Sequence, residues 1–243
     1  MAGDKKFYAL AYERSGYPAW KWEFQLTYDI LKSLSTQDFK LLEVGAGDGA
    51  FVKRVGANVL PKENIYYSEF SSYGKQQIND LGVQCFSLDI HALSQKEFEG
   101  NFNAVCMFHV QEHMDKLEEL FTKLNWLLKK GGNLFIAVPN QGRIEFNELH
   151  GALLDMPPNH IGRWNKNCFE QMDKQNGFHL QDYKREESHL LPMAKQFVNY
   201  RYLRNAQESG SVENKIETKK NKSLTKIMKV IGIAVNSRRY RNG

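Results

Sequence analysis

Residues 43 to 50 read Glu-Val-Gly-Ala-Gly-Asp-Gly-Ala and follow the apolar pair Leu41 and Leu42. No other stretch constrains the fold as much. Three glycines between positions 45 and 49 let the chain reverse sharply and let another group approach the main chain. Phe51, Val52 and Val55 then begin a helical pattern. The unit is therefore a short buried strand, a tight turn and a helix. Such a unit is stable only inside a sheet whose faces are covered.

The chain repeats that alternation. Short apolar runs predict strands at 40–44, 65–70, 83–88, 102–108, 133–138 and 178–184. Helical patterns separate them. The strongest is Leu117, Leu120, Phe121, Leu124, Leu127 and Leu128, extended back to Met114 and stopped by Gly131 and Gly132. Phe24, Tyr28 and Leu31 mark a helix before the first strand, and Cys168, Phe169 and Met172 one closed by Gly177. Residues 141–165 carry no clear period and are expected to be irregular. The expected fold is α/β: a Rossmann-like, doubly wound, mostly parallel sheet with helices on both faces. A helical cap covers 1–37, the sheet domain 38–187, and a helical, basic extension 188–243. No seventh strand is evident. Functional residues are expected just beyond the carboxyl ends of the strands.

Composition narrows the class. Of 243 residues, 42% are hydrophobic and 25% charged, which excludes a wholly disordered chain. Cys85, Cys106 and Cys168 are far apart and form no CxxC pair, which excludes a disulfide scaffold or zinc ribbon and fits a reducing compartment. Net charge is +5, yet residues 210–243 hold nine Lys or Arg against two Glu, so the remainder is slightly acidic. A nucleic-acid-binding core is not expected. With no apolar signal segment at the N-terminus and no run long enough to cross a bilayer, the expectation is a cytoplasmic protein.

The glycine turn suits two ligands. As GxGxxA, Gly45 to Ala50 matches a dinucleotide fingerprint. As ExGxGxG, Glu43 to Gly49 matches enzymes that bind S-adenosylmethionine. Charge separates them: Glu43 and Asp48 would repel a pyrophosphate but favour a sulfonium and an ammonium. Glu69, 24 residues after Gly45, ends the second strand and can accept hydrogen bonds from a ribose in either ligand. Asp89 ends the third strand and can accept from an adenine amino group, or can cap the next helix.

With Phe108 to His113 (Phe-His-Val-Gln-Glu-His) after strand four and Leu127 to Gly132 before strand five, residues 39–187 resemble the class I S-adenosylmethionine-dependent methyltransferases, of the bacterial small-molecule type. The resemblance implies that Glu43, Gly45, Ala46, Gly47 and Gly49 surround the methionine end of S-adenosylmethionine. It implies that Glu69 holds the ribose, that Asp89 and Ile90 hold the adenine, and that Phe108 and His109 border the cofactor. Lys130 departs from the family, which usually has proline there. Residues 150–165 resemble the Pro-Pro-x-His-x-x-x-Trp segment of small-molecule methyltransferases, some of which act on surface sugars or secondary metabolites. The expected partner is a small-molecule acceptor.

His109, Glu112 and His113 also fit an HxxEH zinc-hydrolase pattern. That pattern needs both histidines on one helix, whereas His109 follows a strand directly, so no metal is expected. If the acceptor is a hydroxyl, a histidine suits the general base. The candidates are His109, His113 and His160, with His160 and Arg163 as acceptor contacts. Tyr8, Tyr12, Tyr17, Trp20 and Trp22 are dense near the N-terminus, where packing and pocket lining compete. In the tail, Leu224, Ile227, Met228, Ile231 and Val235 recur at helical spacing among basic residues. Docking on the body, contact with an anionic membrane through 222–241, and pairing of protomers all stay open. The alternatives to a methyltransferase are an NAD(P)-binding oxidoreductase and a non-catalytic nucleotide-binding or membrane-recruited module.

Overall fold

The computed structural model describes residues 20–79, 81–86, 90–149, 155–186, 190–218 and 223–230. These fall into two compact units, one within Met1–Gln141 and Met156–Tyr183, the other within Gly142–Asp155 and Lys184–Gly243.

The first unit contains the sheet. Its strands are β1 (Leu41–Val44), β2 (Ile65–Ser68), β3 (Gln84–Phe86), β4 (Phe102–Phe108) and β5 (Leu128–Ala137). They run in the order β3-β2-β1-β4-β5, and every pair is parallel. The order reverses between β1 and β4, so a crevice opens beyond their carboxyl ends. Helices α1 (Trp22–Leu34), α2 (Ala50–Asn58), α3 (Ser72–Asn79), α4 (Gln95–Phe98) and α5 (Leu117–Leu127) accompany these strands.

Period-two alternation explains the two-sided burial. Leu41, Ile65, Tyr67, Ala104, Cys106 and Phe108 face Phe24 and Leu31 of α1, Phe51, Val52 and Val55 of α2, and Ile78 of α3. Leu42, Val44, Tyr66, Val105 and Met107 face Ile90 and Leu93, with Leu120, Phe121, Leu124 and Leu127 of α5. The expected doubly wound α/β sheet with a helix before it is the fold observed. The aromatic residue Trp20 joins the first cluster, stacking on Phe51 at 6.2 Å, with the Arg54 guanidinium 4.3 Å from its ring centroid.

Several local expectations are corrected. Residues 178–184 are not a strand: they form no ladder and hang on ring contacts, Phe178 against Phe121 and Tyr183 against Phe169. Among the described strands β5 is therefore one edge of the sheet, with β3 the other. Gly131 and Gly132 do not separate helix from strand. α5 ends at Leu127, Leu128 already pairs with Phe102, and Asn133 pairs with Ala104. The intervening residues bulge outward, with Gly131 at φ +76. Helix α5 starts at Leu117 rather than Met114, because Lys116 turns left-handed. Within 141–165, expected to be irregular, Gln141–Leu149 is helix α6, whose Ile144 and Asn147 are buried. Its single apolar residue per turn gave too weak a period to stand out.

Helix α7 (Lys166–Asn176) begins with the Asn165 side chain accepting from the Cys168 N–H and ends at Gly177, φ +73. The second unit holds α8 (Leu190–Gln207), α9 (Val212–Thr218) and a helical segment at 223–230. Within it Lys229 Nζ donates to Asn199 Oδ1 at 2.7 Å, and Tyr202 meets Thr225 at 3.2 Å. The proposed membrane stretch 222–241 lies largely outside the described residues, as do Tyr8, Tyr12 and Tyr17. Among the described residues no helix is long and apolar enough to cross a membrane.

Candidate functional site

The turn after β1 passes through Gly45 (φ +73), Gly47 (φ +59) and Gly49 (φ +76), all in the left-handed region. Gly45 is doubly required, since a Cβ there would lie 2.5 Å from Val110 Cγ2. The turn thus packs against the segment that follows β4.

Its amides are used within the protein. Gly45 and Ala46 N–H both donate to Ser68 O, at 2.9 and 3.0 Å. Gly47 N–H donates to Glu69 Oε2 at 2.8 Å. Gly49 N–H donates to Ala46 O, and Ala50 N–H to Asp48 Oδ1. The other oxygen of Glu69 accepts from Ser71 N–H at 2.7 Å. Glu69 therefore braces the turn. Gly74 keeps this brace compact, because a Cβ there would run into Gly47 O and the Glu69 side chain.

Of the carboxylates gathered here, Glu69 and Asp48 accept from amides of this region, and Glu43 is the one left with an unbonded oxygen. Glu43 is only 2% exposed, and among the described residues its Oε2 accepts no hydrogen bond. Burial pushes its carboxyl well above the usual range; Lys21 opposes this, while Asp48 and Glu69 add to it. Burial also lowers the ammonium of Lys21. This end of the sheet is acidic, with Lys21 as an opposing charge.

The turn after β4 supplies histidines. His109 sits at φ +56 and its N–H donates to Ala137 O. Its Nε2 lies 2.9 Å from Glu23 Oε1 and its Nδ1 3.5 Å from Glu112 Oε1. Burial opposes a charge on His109, but Glu112 and Glu23 outweigh it and raise the pKa. Glu23, from α1, was not foreseen. It adjoins the apolar stripe of α1, and only its position in the first helical turn marked it.

Residues 111–113 form a 3-10 turn, not an α-helix, so His109 and His113 do not share the helix face that the zinc-hydrolase pattern requires. His113 instead donates from Nδ1 to Asn159 O at 2.7 Å, and burial lowers its pKa. Ile161 and Gly162 N–H donate to Glu112 O at 2.8 and 3.1 Å. These bonds tie the distant 159–162 loop to the turn. They bring the His160 ring edge-to-face with His113, centroids 4.7 Å apart. One donor atom each of Glu112, His113 and His160 then lies within 4.8 Å of the others.

The remaining expected site residues are dispersed. Phe108 is buried between Phe24 and Phe51, at 4.8 and 4.9 Å. Ile90 is buried on the α5 face of the sheet. Arg163 is exposed. Asp89 lies outside the described residues. Trp164 is buried, stacks on Phe169 and bridges to Asn140, which makes it a packing residue.

Residues 19–232 match the model of a family described as a methyltransferase domain. No curated protein matches the chain in sequence. Among solved structures, the YcgJ protein of Bacillus subtilis superposes with a TM-score of 0.54 at 13% identity, covering 73% of this chain and 82% of that one. A SAM-dependent methyltransferase of Thermotoga maritima superposes with a TM-score of 0.52 at 18% identity, covering 72% and 79%. At these identities the likeness concerns the fold.

Proposed function

The chain belongs to the methyltransferase-domain family, as a class I S-adenosylmethionine-dependent enzyme, and from that premise we propose that its acceptor is a small molecule methylated on a hydroxyl beside the histidine turn. One observation carries the ligand assignment. The glycine turn spends its amides on Ser68, Glu69, Ala46 and Asp48, and it leaves Glu43 buried without a hydrogen bond on Oε2. A pyrophosphate needs N–H groups and dislikes carboxylates. A sulfonium with an ammonium needs the reverse. The oxidoreductase reading is thereby disfavoured.

In this reading Glu43 and residues 45–49 face the methionine end of the cofactor. Glu69 uses two lone-pair directions on Gly47 and Ser71 and keeps others for the ribose hydroxyls. Asp89 and Ile90 take the adenine, and Phe108 and His109 border the cofactor. Methyl transfer is an in-line displacement, so alignment of oxygen, methyl carbon and sulfur is the main demand. Held between Glu23 and Glu112, His109 is fixed in place and favours the protonated form, which positions better than it deprotonates. Loss of the hydroxyl proton falls to the neighbourhood of His113 and His160, with the exposed Arg163 as an acceptor contact. A sugar or a secondary metabolite with a free hydroxyl fits this chemistry.

Calorimetry with S-adenosylhomocysteine and with NAD tests the ligand. Saturable binding of the first and none of the second is expected; the opposite result overturns the reading. For the acceptor side, His160→Ala should slow methyl transfer by about 100-fold or more while cofactor affinity stays within about twofold. Unchanged turnover removes His160 from the mechanism.

A further inference from the structure

The geometry points to a binding site for one divalent transition-metal cation formed by Glu112, His113 and His160, on which the acceptor hydroxyl is held while it is methylated. The second half rests on the methyltransferase reading; the cation site does not. It also goes against the expectation from sequence, where only the HxxEH arrangement was weighed as a metal site and His160 was expected to act as a base or acceptor contact.

Three features support the site. The first is convergence: a carboxylate and two imidazoles from segments 47 residues apart place their donor atoms within 4.8 Å of one another. Around a metal with bonds of about 2.1 Å, such donors stand roughly 3 to 4 Å apart, so a small closure completes the shell. The second is Glu112. It is 1% exposed, and among the described residues neither carboxylate oxygen accepts a hydrogen bond; His109 Nδ1 lies 3.5 Å from its Oε1. His109, its cationic neighbour, is shared with Glu23, which lies closer at 2.9 Å, so the charge of Glu112 is only partly matched and a further cation beside it is favourable. The third is orientation. A carbonyl can only accept, so His113 Nδ1 must donate to Asn159 O, and in the neutral ring the lone pair is then on Nε2. A ring N–H bound to a backbone carbonyl is how metal-binding histidines are usually held. The loop that carries His160 is fixed to the same turn by the amides of Ile161 and Gly162 on Glu112 O.

Donor chemistry selects the ion. Two imidazoles and one carboxylate suit Zn²⁺, Co²⁺, Fe²⁺ or Mn²⁺, whereas Mg²⁺ and Ca²⁺ favour oxygen throughout. Three protein donors leave positions open for a ligand. An acceptor hydroxyl bound there loses its proton to solvent water more readily, because the cation stabilises the alkoxide. The oxygen lone pair then forms a bond to the methyl carbon. The carbon–sulfur bond breaks with its electron pair returning to sulfur, leaving a methyl ether and S-adenosylhomocysteine.

The test is titration of the untagged, metal-stripped full chain with Co²⁺ and with Zn²⁺, followed by calorimetry and, for Co²⁺, by visible absorption. S-adenosylhomocysteine binding is measured on the same samples. One cation per chain is expected. Glu112→Gln and His160→Gln should each weaken cation binding at least about tenfold while S-adenosylhomocysteine affinity stays within about twofold, which shows that the variants are folded. Catechol, as a hydroxyl probe, should shift the Co²⁺ absorption of the wild-type chain. A chain that binds S-adenosylhomocysteine but neither cation at about 100 μM overturns the site. Equal cation affinity in both variants also overturns it, by placing the ion elsewhere. An unmoved Co²⁺ band with catechol overturns the acceptor role. Cation binding that depends on Glu112 and His160 in a chain that ignores S-adenosylhomocysteine upholds the site and refutes the methyltransferase reading.

Discussion

The turns that follow β1 and β4 are neighbours at the same end of the sheet, and they are built in opposite ways. The β1 turn is local. Three glycines and the two strand-end carboxylates Glu43 and Glu69 lie within 27 residues, and main-chain amides bonded to Ser68 O and to the Glu69 carboxylate set its shape. The β4 turn is assembled. Its His109 is held by Glu23 from α1, and its His113 by a loop that arrives after β5 and α6. A backbone-built turn tolerates little change in the chain itself. A side-chain-built one tolerates backbone change but depends on distant partners. Substitutions should therefore fail differently in the two places.

The largest effect is expected at Gly45. Gly45→Val puts a branched side chain at φ +73 and into Val110. S-adenosylhomocysteine affinity should fall at least about 100-fold, equivalent to about 2.7 kcal/mol. Calorimetry that finds less than a threefold loss would break the contrast, because it would mean the turn can relax. Next is Glu69→Ala, which strips the acceptor from the amides of Gly47 and Ser71. Each orphaned buried amide costs about 1 to 3 kcal/mol, so the melting temperature should drop measurably together with cofactor affinity. Glu69→Gln retains an acceptor oxygen and should lie between the two.

The same contrast explains what could be read from the amino-acid order. The β1 turn was legible because its determinants are contiguous: glycines where φ is positive, an apolar strand before, a helical stripe after. The sheet followed from the same local periods. The β4 turn was legible only in part. His109, Glu112 and His113 showed as a motif, but nothing in their order indicates that Glu23 pairs with one ring or that His160 meets another. Those contacts depend on the packing of α1 over Phe108 and on the amides of Ile161 and Gly162, which are tertiary facts. The expected sixth strand failed for a related reason. Phe178, Leu180 and Tyr183 alternate only loosely, and a strand also needs a neighbour to pair with, which β5 does not receive from them.

A middle-sized effect separates the two turns by pH. Burial holds the Glu43 carboxyl well above its ordinary range in the free protein. Cationic S-adenosylmethionine favours the ionised form, so binding should release a proton when the pH lies between the ordinary carboxylate value and the raised one. Affinity should rise with pH in that window, by at most about tenfold per unit. Calorimetry in two buffers of different ionisation enthalpy reads the proton directly. Glu43→Gln should abolish the release; a release that persists would locate the proton elsewhere in the site.

The smallest effect concerns the Glu23–His109 pair and appears in stability rather than binding. For Glu23, burial raises the pKa but the bond to His109 outweighs it, and the folded value is lowered. That contribution is present above the unfolded carboxylate pKa and fades as the pH falls through the lowered one. The pKa of His109 is raised, so its contribution is present below the unfolded imidazole value and fades as the pH rises through the folded one. The pair should therefore stabilise most between about pH 4.5 and 6.5, and less on the alkaline side. Glu23→Gln should cost on the order of 1 kcal/mol in that window, because His109 is still about a quarter open to solvent at 27%. Urea unfolding of both chains at pH 5.5 and pH 9 measures the difference. An equal loss at the two values would mean that Glu23 acts by packing in α1 and not by charge, and the β4 turn would then owe its shape to the 159–162 loop alone.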